Sequence, residues 1–289
     1  MPTDSRTYLA CTELENCVVL HPRFNEALEG LARLVNQTEF SGLPFGATII
    51  GESGSGKTTL MKVLLKRIPT LDLLGEQATA FGVSAQSCPT IGDLMIKLAR
   101  QLGFPVALRG NRISDMSLNL FAALRERRAR ALFIQDFQHL YRGSRDKSAA
   151  IITDWLKQLV EETGVVLAMF ATPELGDLGL ICQQLQTRAP ARYRLGPFVR
   201  NEVWVEFLRG VAGRCKTIDW SPLHERFERE LFMATNGLPR ALIQLLSLAA
   251  VSAIERGNLA VDAADLSVAY RALLGKDTDG VDPFGGWRQ

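Results

Sequence analysis

A short apolar run, ATII (47–50), leads directly into GESGSGKT (51–58) and then into TLMKVLLKRI. No other stretch limits the possible folds so strongly. The spacing G-x-x-x-x-G-K-[ST] requires a strand before it and a helix after it. Glycines let backbone N–H groups close around an anion, and the helix that follows offers its positive end to the same anion. Gly51, Glu52, Ser53, Gly54, Ser55, Gly56, Lys57, Thr58 and Thr59 are therefore the candidate phosphate-binding residues. Lys57 is placed to reach β- and γ-phosphates, and the Thr58 hydroxyl to hold Mg2+. A guanine-reading N-K-x-D is absent from the chain, which favours ATP.

A phosphate loop of this kind sits in a strand-and-helix core, and the chain supplies one. ATAFGVSA (78–85), ALFI (131–134) and VVLAMFAT (165–172) read as buried strands. Helical spacing marks HPRFNEALEGLARLVNQ (21–37), TIGDLMIKLARQLG (90–103), SDMSLNLFAALRERRAR (114–130, opening on a Ser114 cap) and SAAIITDWLKQLVEETG (148–164). TEFSGLPF (38–45) reads as a loop. Short apolar runs between amphipathic helices predict an α/β fold, a parallel sheet with helices on both faces. Beyond about residue 200 the strand signal stops. NEVWVEFLRGVAGRC, HERFERELFMATNG, LPRALIQLLSLAAVSAIERG and VDAADLSVAYRALLG read as the helices of a C-terminal lid.

The expected layout is an N-terminal segment with a leading helix over 1–45, of which 1–20 reads as irregular, then a P-loop core over 46–200 and a helical lid over 201–275. A flexible tail follows over 276–289. Its Phe284 and Trp287 read either as exposed aromatics for a partner or as functionless.

Thirty-three basic residues face 31 acidic ones, a net charge of +2. That balance excludes a protein that coats nucleic acid by bulk charge, and leaves local basic patches open. Cys11, Cys17, Cys88, Cys182 and Cys215 include no CxxC pair, and only three histidines accompany them. A zinc site or a disulfide framework is thereby disfavoured. The first residues lack a basic-then-apolar signal pattern, and no apolar run approaches the roughly 20 residues of a membrane span. The expectation is a soluble cytoplasmic protein without a membrane partner.

The oddest stretch is RARALFIQDFQHLY (128–141). A phosphate-loop ATPase carries a second buried strand that ends in an acid organising Mg2+ and its water. Many add a glutamate that polarises the attacking water. Two registers fit here. If Asp136 is the metal-side acid, Phe137 follows and the base is missing. If the pair is Gln135-Asp136, an amide replaces the metal-side acid and a shorter acid replaces the glutamate. The second register is preferred, because ALFI directly precedes Gln135. Gln135 then reaches Mg2+ through a water and contributes no charge. Both registers weaken hydrolysis.

With these residues assembled, the chain resembles the AAA+ ATPases of bacterial transposition, the TniB/TnsC type. LHPRFNEALEGLARL (20–34) is similar to that family's N-terminal helix, GESGSGKTT to its Walker A loop and FIQDFQHL (133–140) to its Walker B strand. The family usually has Asp-Glu before a QHL ending, so Gln135-Asp136 is the departure. VVLAMFATPEL (165–175) resembles the sensor 1 strand and places Thr172 at the γ-phosphate end. QLQTRAPARYRL (184–195) resembles the arginine-finger segment, with Arg188 the first choice and Arg192 the second. TNGLPRALIQLL (235–246) resembles sensor 2, with Arg240 reaching the nucleotide. Arg240 stands at a helix start, where the dipole disfavours a cation unless an anion is near.

The resemblance implies ATP-dependent homo-oligomers, a ring or a helical filament, on duplex DNA without sequence preference. It also implies a transposase and a target-selection adaptor as partners. Loop arginines can hold phosphates without reading bases. Arg109 and Arg112 in LRGNR, and Ser87 in the turn after the second strand, are the DNA candidates. The run RERRAR (125–130) reads as a solvated helix end. Two other readings stay open: a motor-type AAA+ ATPase of the helicase-loader or secretion kind, and a nucleotide-gated scaffold that never hydrolyses.

Overall fold

The computed structural model describes residues 5–41, 46–68, 79–103, 113–141, 146–174, 189–274 and 281–286. They form two compact units. One comprises residues 23–53 and 57–195, the other residues 1–22, 54–56 and 196–289.

The first unit is built on a five-stranded parallel sheet. Its strands are β1 (Ala47–Ile50), β2 (Thr79–Ser84), β3 (Ala129–Gln135), β4 (Val166–Ala171) and β5 (Ala191–Arg194), in the spatial order β2-β3-β4-β1-β5. Parallel strands need crossovers. The chain supplies α3 (Lys57–Arg67), α4 (Ile91–Gln101), α5 (Ile113–Glu126) and α6 (Asp146–Thr163), preceded by α1 (Ser5–Glu15) and α2 (Pro22–Ser41). Both sheet faces are covered, which is why β4 is buried at every position. On one face Leu132, Ile134, Leu167 and Met169 pack with Leu94, Leu98, Phe121, Leu124, Trp155 and Leu156. The intervening Phe133 and Phe170 are also fully buried and meet edge-on at 6.1 Å. Each such side chain contributes about 1.5–3 kcal/mol by leaving water.

β5 is the edge strand next to β1, with Thr48 opposite Arg192 and Ile50 opposite Arg194. It is bound to α2 by a close approach. A Cβ on Gly30 would lie 2.1 Å from the Tyr193 hydroxyl, so only glycine lets this ring lie against the helix. Burial then pushes the Tyr193 phenol above its ordinary pKa.

The second unit is helical, with α7 (Glu202–Arg214), α8 (Pro222–Glu225), α9 (Glu228–Thr235), α10 (Pro239–Glu255) and α11 (Ala263–Leu274). Trp204, Phe207, Trp220, Phe227, Leu231, Leu242, Leu246 and Leu266 form its core. α11 starts on a capping cluster. Buried Asp265 accepts hydrogen bonds from the Asp262 N–H, Ser252, Asn258 and Arg256.

Several expectations change. Residues 1–20 are not irregular, because α1 packs on α10 and buries Ala10 and Leu14 in the helical core. Glu13 secures that contact by accepting the backbone N–H groups of Lys216 (2.8 Å) and Thr217 (3.0 Å). α2 extends to Ser41, into the stretch read as a loop. α5 begins at Ile113, so Ser114 lies inside the helix and does not cap it. The same helix ends at Glu126, and Arg127 and Arg128 form a turn with Arg128 at φ 50°. HERFERELFMATNG is two helices broken at Arg226 and Phe227.

The expected loose tail is docked over residues 281–286. Phe284 is 1% exposed against Phe227 and Tyr270, and Asp282 accepts from Ser267 and Arg271. Phe284 is therefore no exposed docking aromatic, and Trp287 lies outside the described residues. Among the described residues, no single helix is long and apolar enough to cross a membrane. Cys11, Cys17, Cys88 and Cys215 carry no disulfide, and Cys182 lies outside the described residues.

Candidate nucleotide site

Because the strands are parallel, their carboxyl ends share one edge of the sheet, where open α/β folds bind ligands. Register aligns the ends. Ser84 of β2 pairs with Gln135 of β3, and Ile50 of β1 pairs with Ala171 of β4. The ladder continues one step further, with Gly51 N–H donating to the Ala171 carbonyl at 3.1 Å. The residues after these ends are Ala85, Asp136, Thr172 and Gly51. Three of the four were singled out by sequence.

Between β1 and α3 the loop turns through Gly54 (φ 85°) and Gly56 (φ 98°), a backbone that side chains rarely adopt. A Cβ on Gly54 would also lie 3.0 Å from the Cβ of Arg240, whose N–H donates to the Gly54 carbonyl at 3.1 Å. Arg240 is thus placed beside the loop through its backbone, while its side chain is exposed. Lys57 opens α3 and is 7% exposed. Its ammonium folds back on the loop and donates to the carbonyls of Gly51 (2.6 Å) and Glu52 (2.8 Å). A buried ammonium demands such acceptors.

Gln135 ends β3 beside the phosphate loop. Its Nε2 donates to Thr58 Oγ1 at 2.7 Å, linking the end of β3 to the phosphate loop. Gln135 is thus the β3 residue bonded to the phosphate loop, and Asp136 follows it. Asp136 adopts a left-handed backbone (φ 54°, ψ 38°) at the start of a 3-10 turn over Phe137–Leu140. Ser84 donates to its Oδ2 at 3.4 Å. Thr172 stands after β4, its N–H bonded to the Oε1 of buried Gln138 at 3.3 Å.

Two polar atoms test whether a nucleotide suits this edge. Ser55 Oγ and Thr172 Oγ1 are buried without hydrogen-bond partners. Such groups are rare unless a ligand or water satisfies them, and phosphate oxygens would. The residues fit a nucleotide triphosphate. For Mg2+ the fitting donors are the Thr58 hydroxyl and the Gln135 amide, both neutral.

Sequence reasoning missed Gln138 and gave Ser84 no place at this site, only in the turn of 84–90 as a DNA candidate. The amide in QDFQHL signals the first, and the polar end of an otherwise apolar strand the second. Lys97 was missed too. Its ammonium donates to the carbonyls of Ser84 and Gln86 and fixes the turn carrying Ser87, which is exposed at φ 61°. Arg192 lies within β5, exposed. Arg109, Arg112 and Arg188 lie outside the described residues.

A family model described as bacterial TniB protein matches residues 14–193. General secretion pathway protein A of Aeromonas hydrophila is 25% identical over 242 residues, 80% of this chain and 41% of that protein. The chain thus spans about two fifths of the length of that curated relative. Among solved structures, the ADP form of the ORC2 protein of Aeropyrum pernix superposes with a TM-score of 0.67 at 22% identity, covering 89% of this chain and 70% of that one. Cdc6p of Pyrobaculum aerophilum gives a TM-score of 0.68 at 17% identity, covering 92% and 70%. The ORC1 protein of Aeropyrum pernix in complex with DNA gives 0.63 at 19% identity, covering 89% and 66%. The fold is that of the AAA+ P-loop ATPases.

Proposed function

The chain belongs to the TniB family, and from that premise we propose that it is an ATP-dependent regulator of DNA transposition that hydrolyses ATP slowly. In this reading it assembles homo-oligomers on duplex DNA without reading sequence, and it engages a transposase and a target-selection adaptor. The observation that carries the slow-switch character is the 2.7 Å contact from Gln135 to Thr58. It supports a reading in which an uncharged amide takes the metal side and the shorter acid, Asp136, acts as the base.

The chain's own groups divide the work. Loop N–H groups, Ser55 and Lys57 take the phosphates, and Lys57 exchanges its loop carbonyls for phosphate oxygens. Thr172 Oγ1 reads the γ-phosphate end, and Arg240 adds a cation. Arg188 or Arg192 completes the site of a neighbouring subunit. Mg2+ would be held by Thr58 directly and by Gln135 through a water, and it supplies charge neutralisation when bound. Asp136 orients the attacking water, but a base misplaced by ~1 Å loses about 100-fold in rate. Duplex phosphates meet Arg109, Arg112 and the Ser87 turn. The DNA in the ORC1 complex favours such a surface.

The likeness to a secretion protein keeps a motor-type ATPase as the second reading. One experiment separates them: duplex binding with ATP, ADP, a slowly hydrolysed analogue and no nucleotide, with phosphate release followed in parallel. Triphosphate-dependent, cooperative, sequence-independent assembly with slow release supports the regulator. Fast release without assembly on DNA supports the motor.

A further inference from the structure

We propose that Gln135 makes this a nucleotide site whose occupancy is nearly independent of divalent cation, so that ATP or ADP is retained when Mg2+ is withdrawn. The inference rests on the nucleotide-binding part of the reading above and goes beyond it.

The two halves of the site differ in charge. The phosphate half is complete, with Lys57 7% exposed, two left-handed glycines, and Ser55 Oγ buried and unpartnered. The metal half is neutral. Its hydroxyl, Thr58 Oγ1, is bonded to an amide 2.7 Å away. The amide nitrogen spends one lone pair of that oxygen and adds no negative charge. The next residue, Asp136, has a left-handed backbone, and its Oδ2 accepts from Ser84 rather than from the loop hydroxyl, which is bonded to Gln135. Glu52 is exposed and gives its carbonyl to Lys57. Among the described residues, no group of three or more His, Cys, Asp or Glu could hold a metal ion.

Linkage converts this into affinity. Mg2+ can tighten nucleotide binding only as far as the protein binds the cation more tightly than free nucleotide does. A neutral amide offers little such excess. An aspartate at the same position would supply it, because partners in a metal's outer shell are worth about 10–100-fold in metal affinity.

The test is titration of the intact protein with a fluorescent ATP analogue and with ADP, in Mg2+ and in a chelator. Wild type, Gln135→Asp, Gln135→Asn and Lys57→Ala are compared, each checked by its melting temperature. Wild-type affinity should change by no more than about threefold on chelation. Gln135→Asn should behave alike, while Gln135→Asp should become about 10–100-fold tighter in Mg2+ than in chelator. A tenfold or greater loss in wild type on chelation overturns the inference. So does a Gln135→Asp variant no more metal-sensitive than wild type. Lys57→Ala should lose binding in both conditions. Wild type that binds in neither would remove the nucleotide reading itself, and the inference with it.

Discussion

Consider lengthening the base in a corrected metal site, the double variant Gln135→Asp/Asp136→Glu. Asp136 sits at φ 54°, ψ 38°, with Ser84 donating to it at 3.4 Å. One added methylene advances the carboxylate by about 1.5 Å, a carbon–carbon bond length. A catalytic group misplaced by ~1 Å loses about 100-fold, so the correction should raise turnover by about 100-fold, or ~2.7 kcal/mol of barrier. The backbone opposes the change. Left-handed geometry costs most L-residues about 1–2 kcal/mol and is better tolerated by aspartate than by glutamate. Glutamate at 136 should therefore lower stability by about 1 kcal/mol. The assay is steady-state phosphate release at saturating ATP with duplex DNA, alongside urea unfolding. Gln135→Asp alone separates the metal side from the base. Wild-type turnover in the double variant, with the expected loss of stability present, would refute the assignment of these two residues.

Other perturbations probe the frame. Phe284→Ala empties a fully buried site and should cost about 3 kcal/mol in urea unfolding. A loss below ~0.5 kcal/mol would mean the segment is not docked in solution. Gly30→Ala forces the Tyr193 ring off α2 and should cost about 1–3 kcal/mol, and Tyr193→Phe in the same background should relieve part of it. Burial pushes the Glu13 carboxyl up, but the N–H groups of Thr217 and Lys216 outweigh that and leave its pKa below the ordinary value. A depressed carboxylate contributes stability above its unfolded pKa, about 4.3, and loses it as pH falls through the folded value. Glu13→Gln should therefore flatten the acid limb of the melting profile below about pH 4. An unchanged limb would sink that assignment.

How far the sequence revealed all this depends on where each signal resides. The phosphate loop was legible because its chemistry is local: glycines, lysine and threonine act within eight residues. The end of β3 at Gln135 was legible because four apolar residues lead into it, and Gln135 lies within hydrogen-bond distance of Thr58. What was missed is tertiary in origin. α1 buries only Ala10 and Leu14, so its own pattern is weak and α10 stabilises it. β5 reads ARYR, an edge strand whose arginines are exposed, and nothing apolar announces it. Phe284 is flanked by Asp and Gly, a composition that signals looseness until Phe227 and Tyr270 are seen around it. The arginines of the 125–130 run belong to a helix end, a turn and a strand start, and no period marks those joins.

The helical unit is assembled from separate parts of the sequence, residues 1–22, 54–56 and 196–289, and the sheet unit's residues lie between them in the chain. The chain therefore passes from one unit to the other near residue 22, touches the helical unit again at 54–56, and returns to it near residue 195. A boundary set at residue 200 does not isolate two autonomous pieces. A fragment ending there keeps α1 but strips Ala10 and Leu14 of their α10 partner, and the complementary fragment leaves α10 with an uncovered apolar face. Limited proteolysis within the sheet unit should accordingly leave a nicked helical unit whose two pieces remain associated until denaturant separates them.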